Sequence, residues 1–252
     1  MTDLKEENPV ENTETNTAEE QAEAPKRSID PSLEGFQLLY EKNKKLVNYL
    51  GGGILILAAA LTYFKLFYLP EQEKEAANEM YMAENFFERD SFNLALKGGP
   101  MIMTPDGQKP MAGFEQIAQD YSLTKSGNLA NYYAGICYLR TGKFEQAIEY
   151  LKKYSGNDEV ISSVAIGATG DAYMELNQVE EAIKYFLKAA ENSKNNFTTP
   201  FYLKKAAFAY ELTNNPKQAL DIYERIRREY STSSEGKEMA KEIARLKAVS
   251  DL

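Results

Sequence analysis

The sequence predicts an all-α protein: one transmembrane helix, followed by an α-solenoid of helix hairpins with a C-terminal capping helix. Three observations carry that prediction. An uncharged apolar run of bilayer length lies at residues 46–64. Beyond it, a set of small residues and tyrosines recurs at intervals of 35 and 37 residues. From residue 114 onward the chain reads as helical throughout, with turns placed at that same period.

Residues 1–25 hold eight acidic side chains, one lysine and no aromatic residue. Such a segment cannot bury enough apolar surface to offset the entropy of ordering it. Residues 1–35 are therefore expected to be a disordered acidic tail. It has neither the basic start nor the early apolar region of a cleaved signal peptide.

Residues 36–69 read as a juxtamembrane segment and a signal-anchor helix. The run LVNYLGGGILILAAALTYF, from Leu46 to Phe64, carries no charge. At about 1.5 Å per residue it spans about 28 Å, close to the hydrocarbon core of a bilayer. Lys65 follows it, and Tyr49 near one end and Tyr63, Phe64, Phe67 and Tyr68 at the other stand where interfacial aromatics do. A buried core helix would need an equally apolar partner helix, and the chain has none. Lys42, Lys44 and Lys45 precede the run, while Glu71, Glu73, Glu75 and Glu79 follow it. The positive-inside rule then places the N-terminus in the cytoplasm and residues 70–252 across the membrane. Within the span, Gly51 and Gly52 lie two helical turns before Ala58 and Ala59, on one helix face. That smooth strip reads either as a docking strip for another helix or as the ordinary composition of a span.

The stretch EKEAANEMYMAENFFERDSFNLAL reads as a helix, a break near Arg89–Asp90 and a short second helix. Ala76, Ala77, Met80, Ala83, Phe86 and Phe87 are expected on one buried face. Residues 97–113 contain three prolines and four glycines, a density of breakers that no helix survives. This segment could hold a short hairpin or a contact surface. The favoured reading is an insertion without a role.

The repeats are clear over residues 128–230. Gly135, Tyr138 and Ala147 are followed at the same spacing by Gly170, Tyr173 and Ala182, then by Ala207, Tyr210 and Ala219. A turn separates tyrosine from alanine in each unit: TGKFEQ, LNQVEE and TNNPKQ. Leu151, Phe186 and Tyr223 lie one helical turn past each alanine. A glycine inside a helix costs about 1 kcal/mol relative to alanine, so its recurrence indicates a helix crossing too close for a larger side chain. The tyrosine and the later large residue are expected to fill the space between neighbouring units. Residues 233–249 read as a helix with one polar face that caps the stack.

Chemistry is sparse. A net charge of −9 argues against nucleic-acid binding. With no histidine and one cysteine, imidazole and cysteine metal sites and the usual nucleophile pairs are missing, and so is an intrachain disulfide. The cysteine count suits either the cytosol or the cell envelope. No phosphate-binding loop follows either glycine-rich stretch. Asp158–Glu159 and Glu180–Glu181 read as helix starts, and Cys137 as a buried small hydrophobe. The expectation is a protein with no catalytic residues, no cofactor, no metal and no small-molecule substrate.

The two-helix repeat, carried by Gly135/Tyr138/Ala147 and its two successors, resembles the tetratricopeptide repeat. The first unit has Asn131 where the repeat usually has a large residue, and all three lack the usual closing proline. The resemblance implies a partner-binding groove lined by Tyr132, Ile136, Leu139, Arg140, Asp171, Met174, Glu175, Lys204, Phe208 and Glu211. The whole layout resembles the YfgM-like family of bacterial envelope proteins. That likeness is carried by KKLVNYLGGGILILAAALTYFKLF and the alanine-rich helix after it. It implies a single-pass inner-membrane protein with a periplasmic domain, an ancillary subunit of the Sec translocon. Its partners would be translocon subunits, a PpiD-like periplasmic chaperone and emerging client chains. The alternative is a scaffold for another envelope complex of the outer-membrane or cell-wall machinery.

Overall fold

The structure is a computed structural model that describes residues 40–104 and 107–250. The expected tail, residues 1–35, lies outside them. The chain divides into two compact units, Met1–Ala59 and Ala60–Leu252.

Helix α1 (Lys44–Tyr63) carries the apolar run and buries no residue. It passes into a π-helical turn, Phe64–Tyr68, and then helix α2 (Leu69–Glu88) with Pro70 in its first turn. Proline has no N–H to give and crowds the carbonyl one turn back. A widened turn just before Pro70 accommodates both effects. The widening stacks Tyr63 on Phe67 at 5.5 Å and Phe64 on Tyr68 at 5.2 Å.

The domain from α2 onward is a stack of helix hairpins. The second is α5 (Lys125–Arg140) with α6 (Phe144–Lys153). The third is α7 (Glu159–Glu175) with α8 (Val179–Asn192). The fourth is α9 (Thr198–Leu212) with α10 (Pro216–Glu229), and α11 (Ser234–Ser250) follows. The first hairpin pairs α2 with a second helix in two pieces, α3 (Phe92–Lys97) and α4 (Phe114–Asp120).

One backbone device closes every hairpin. A single residue at each turn takes the left-handed conformation: Asp90 (φ 55°), Gly142 (74°), Asn177 (57°) and Asn214 (58°). Asp and Asn tolerate it better than other side chains do. The next residue's N–H donates at 2.9 Å to the carbonyl of Phe86, Tyr138, Tyr173 or Tyr210, which ends the first helix. At one fixed spacing past the left-handed position stand Ala95, Ala147, Ala182 and Ala219, all fully buried. At another fixed spacing before it stand Ala83, Gly135, Gly170 and Ala207. Among the described residues the repeat therefore has four members, and the first begins in α2, ahead of residues 128–230.

The close crossing is real, and its partner is in the same unit. A Cβ on Gly135 would lie 2.5 Å from Cγ of Leu151, and one on Gly170 would lie 2.7 Å from Cε1 of Phe186. The later large residue serves both places: Leu151 and Phe186 seal their own hairpins, while Phe114 stacks on Tyr133 of the next unit and Lys205 of the next unit sits over Phe186. The tyrosine reaches backwards. The Tyr138 hydroxyl donates to Glu115 of the preceding unit, and Lys152 donates to the Tyr173 hydroxyl at 2.8 Å. On α2, Ala76, Met80 and Ala83 are buried, but Ala77 is exposed, because one residue of helix turns it past the edge of that face.

Residues 97–113 are not structureless. Strands β1 (Gly98–Thr104) and β2 (Gly107–Ala112) pair antiparallel and split the second helix of the first unit. With residues 99–113 set aside, Phe114 stands at the same distance past Asp90 as Leu151, Phe186 and Tyr223 stand past Gly142, Asn177 and Asn214. Gly98 and Gly113 form the neck, where a Cβ on Gly113 would collide with the backbone of Leu96 and Gly98.

Two cores result. The first runs from α2 to α7 and is rich in rings: Phe114 stacks on Tyr133 at 4.9 Å, and Phe87 meets both edge-on. The second runs from α8 to α11 and includes Phe186, Leu203, Tyr223, Met239 and Ile243. Helix α11 buries Met239, Ile243 and Leu246 and turns Lys237, Lys241 and Lys247 outward, as a capping helix must.

Candidate protein-binding groove

The groove is built by the first helices of successive hairpins, with α11 in the same series. The repeat length brings residues one period apart onto neighbouring helices. Lys205 Nζ on α9 donates to both carboxylate oxygens of Asp171 on α7, at 2.7 and 2.8 Å. Lys204 on α9 donates to Glu238 on α11 at 2.6 Å. Arg245 on α11 gives two hydrogen bonds to Glu211 on α9, at 2.7 and 2.8 Å. Glu211 also accepts from the Tyr223 hydroxyl at 2.7 Å, and Arg245 Nε donates to Glu242 at 2.9 Å. Burial first and Glu211 second push the Tyr223 phenol well above its ordinary range. Glu211, then Glu242, hold the Arg245 guanidinium still more firmly in its charged form.

Between these ion pairs runs an apolar stripe. Phe197, Phe201, Phe208 and Leu212 are all exposed, and their helical spacing puts them on one face of α9. Two adjoining cavities lie along it. One, of about 730 Å³, is lined by Met174, Phe186, Phe201, Phe208 and Tyr223 with the ion pairs at its rim. The other, of about 440 Å³, lies between Ile136, Leu139, Ala168, Phe197 and Phe201. Lys205 sits over the rings of Phe201 (5.1 Å) and Phe186 (5.5 Å), covering the seam between them.

Eight of the ten expected groove residues line one cavity or the other: Ile136, Leu139, Arg140, Asp171, Met174, Lys204, Phe208 and Glu211. Tyr132 lines neither. It packs inward against Tyr133 at 5.3 Å and Tyr154 at 5.8 Å, on the side of α5 that meets the ring-rich core. Glu175 lines neither and is exposed at the last position of α7. Phe197, Phe201, Lys205 and Arg245 were not among the expected residues. Their signal was in the chain: the apolar stripe on α9, and opposite charges set one repeat length apart.

The other candidate positions have structural roles. Asp158 caps α7, accepting from Val160 N at 2.9 Å and Ile161 N at 2.7 Å. Glu181 pairs with Lys184. Cys137 is fully buried, and burial pushes its thiol up to about 12. In α1, a Cβ on Gly51 or Gly52 would meet nothing within 4 Å, and the side chains of Ala58 and Ala59 are exposed on the same face. Among the described residues no group of three acidic, cysteine or histidine side chains could hold a metal ion.

Three segments match tetratricopeptide repeat models: residues 129–157, 167–196 and 203–233. They fall on the second, third and fourth hairpins, and the interrupted first hairpin lies outside them. Among solved structures, the chain is similar to a Podosopora anserina chain of nearly identical TPR-like repeats, described as a putative kinesin light chain. Identity there is 14%, over 72% of this chain and 86% of that one, with a TM-score of 0.45. A single-substitution form of the same protein gives 15%, 72%, 85% and 0.44. MamA gives 19% identity over 53% of this chain and 84% of that one, with a TM-score of 0.37. No curated protein matches the chain. The stack is a tetratricopeptide-type solenoid, an architecture that presents surfaces to other proteins.

Proposed function

We propose that this protein is a membrane-anchored, non-catalytic adaptor of the Sec translocon, with its repeat domain on the periplasmic face of the bacterial inner membrane. The groove would hold a PpiD-like chaperone or a segment of an emerging secreted chain. The strip Gly51, Gly52, Ala58 and Ala59 would dock α1 against another membrane helix. The observation that carries this reading is the pairing of two features. One is a helix apolar enough to span a bilayer, with none of its most apolar window buried. The other is an apolar groove in which Lys204, Lys205 and Arg245 are already paired with carboxylates of the stack.

That pairing supports one kind of ligand over another. Lys204, Lys205 and Arg245 each hold a carboxylate of the stack itself. An acidic peptide drawn to those three would have to displace one of these carboxylates; Arg140, over the ring of Phe92, is the groove cation with no such pair among the described residues. An apolar or amphipathic segment would bury against Phe201 and Phe208 without doing so.

The test is affinity purification of the tagged full-length chain from mild-detergent membranes, with partners identified by mass spectrometry. Two variants run beside it: Phe201→Ser/Phe208→Ser in the groove and Gly52→Leu/Ala59→Leu in the span. Translocon subunits should be recovered with the parent chain and reduced by the span variant, and the chaperone reduced by the groove variant. Recovery of outer-membrane or cell-wall assembly factors, with no translocon subunit, would replace this reading with the envelope scaffold.

A further inference from the structure

We infer that the hairpin β1–β2 is a homodimerisation element: the outer edge of β1 pairs antiparallel with the same edge of a second copy, about a two-fold axis at Ile102. This goes beyond the proposed function and does not depend on it.

The two edges of the hairpin differ. Strand β2 packs on α2 and α4, and Lys109 donates to Glu79 on α2 at 2.7 Å. Its last two residues, Met111 and Ala112, are buried there, while the strand stays exposed from Gly107 to Pro110. It also carries Pro110, which has no N–H and blunts a strand edge. Among the described residues, strand β1 has β2 as its only sheet neighbour and packs otherwise on α3, the helix that leads into it. Pro100 and the register shift between Gly98 and Met101 confine its regular free edge to the residues from Met101 onward.

The register fixes which groups that edge presents. Thr104 pairs with Gly107 at the tip, so that pair exchanges the hydrogen bonds that close the hairpin. Antiparallel pairs alternate, so Met103–Gln108 is non-hydrogen-bonded, Ile102–Lys109 is bonded, and Met101–Pro110 is non-bonded. The missing N–H of Pro110 suits that last position, which independently supports the phase. The N–H and C=O groups of Met101 and Met103 then point outward along the free edge.

The residues on that edge read the same in both directions: Met101-Ile102-Met103. In an antiparallel pairing centred on Ile102, Met101 of one copy faces Met103 of the other at a hydrogen-bonded position. Those are the positions whose backbone groups point outward. The two Ile102 residues face each other at the centre. Met101 and Met103 are 60% and 78% exposed, and in the pairing the flexible thioethers of both copies would form one apolar cluster. A strand whose N–H and C=O groups repeat about its own centre fits a second copy of itself.

The experiment uses the full-length chain in detergent micelles. The mass of the protein in the micelle is measured by light scattering over a range of concentrations, and Ile102→Cys is oxidised to trap the pair. The native Cys137 is buried and does not compete. The expected result is a reversible dimer, an Ile102→Cys disulfide dimer, and no cross-link from Gln108→Cys on the blunted strand. Met103→Pro removes one outward N–H and should leave a monomer with an unchanged thermal melt. A parent chain that is monomeric throughout would overturn the inference, as would a dimer that survives Met103→Pro. If a monomeric chain instead showed slowed amide exchange at Met101 and Met103 on adding an extended apolar peptide, the edge would belong to a foreign chain.

Discussion

Helix α10 runs unbroken from Pro216 to Glu229, while its counterpart in the first hairpin is cut in two by strands β1 and β2. Both nevertheless arrive at the same residues. Phe114, Ile117, Tyr121, Thr124 and Gly127 stand at the spacings of Tyr223, Ile226, Tyr230, Ser233 and Gly236. Both finish with the same cap. Thr124 Oγ1 donates to Tyr121 O at 2.7 Å and accepts from Gly127 N at 2.9 Å. Ser233 Oγ donates to Tyr230 O at 2.7 Å and accepts from Gly236 N at 2.9 Å. The unit is thus defined by where a few side chains land on the next helix, and less by whether the chain between them is continuous.

The comparison breaks most readily at Phe114. It is fully buried, stacks on Tyr133 and meets Phe87 edge-on, and it resumes the helix after the interruption. Phe114→Ala should cost about 3–5 kcal/mol, as large aromatic truncations in a packed core do. Urea unfolding of the residue 70–252 domain measures it. A loss below about 1 kcal/mol would mean that the broken helix is not held to the stack by this ring. Next comes Gly170→Leu, which must displace Phe186 within its own hairpin. Overpacking of this kind costs about 1–3 kcal/mol, and an unchanged denaturation midpoint would refute the close crossing.

The two caps allow a matched pair of smaller tests. Thr124→Ala and Ser233→Ala each remove one side-chain acceptor from the first turn of a helix, at about 1 kcal/mol. The sites lie at opposite ends of the stack, so the double variant should lose the sum. The N-terminal site has a second support that the other lacks. Glu73 on α2 accepts from Lys125 N at 2.6 Å, Ser126 N at 3.1 Å and Ser126 Oγ at 2.7 Å. If that carboxylate shares the load, Thr124→Ala falls at the lower end of the range, and adding Glu73→Gln restores the difference.

Much of this was legible in the residues themselves. Gly135, Gly170, Ala147 and Ala182 mark helix crossings because only small side chains fit there, and their spacing survives any detail of packing. The first hairpin was harder to read. Its helix-closing residue is Asp90, its tyrosine position is held by Phe86, and the inserted segment 99–113 pushes Phe114 out of period. A period is visible only while the chain length between its marks is constant. The groove was legible by helix and less so by residue. Tyr132 and Ile136 differ by one helical turn, but the inward aromatic cluster claims Tyr132. Arg245 lies outside the three matched repeats, and only its contact with Glu211, one repeat length back, shows that it belongs to the groove.

The finest test of the comparison is to make the two units alike. Excising residues 99–113 joins Gly98 to Phe114 and should give one continuous helix of the length of α10. The excision loses the burial of Met111 and Ala112 and the exposed Lys109–Glu79 pair, which is worth about 0–1 kcal/mol. It also removes two helix ends and the closure cost of the loop. The net change should lie within about 1 kcal/mol of zero, since these effects are small and opposed. Its sign says little, but a second substitution makes it decisive. In the parent chain Gly98 has φ 69° and a Cβ there would collide with Met111 O, so Gly98→Ala must destabilise. In the excised chain the same residue would sit in a helix interior, where alanine is favoured over glycine by about 1 kcal/mol. Reversal of sign between the two backgrounds would show that the hairpin is a detour in a helix the stack already specifies. Destabilisation in both would show that the neck at Gly98 is itself part of the fold.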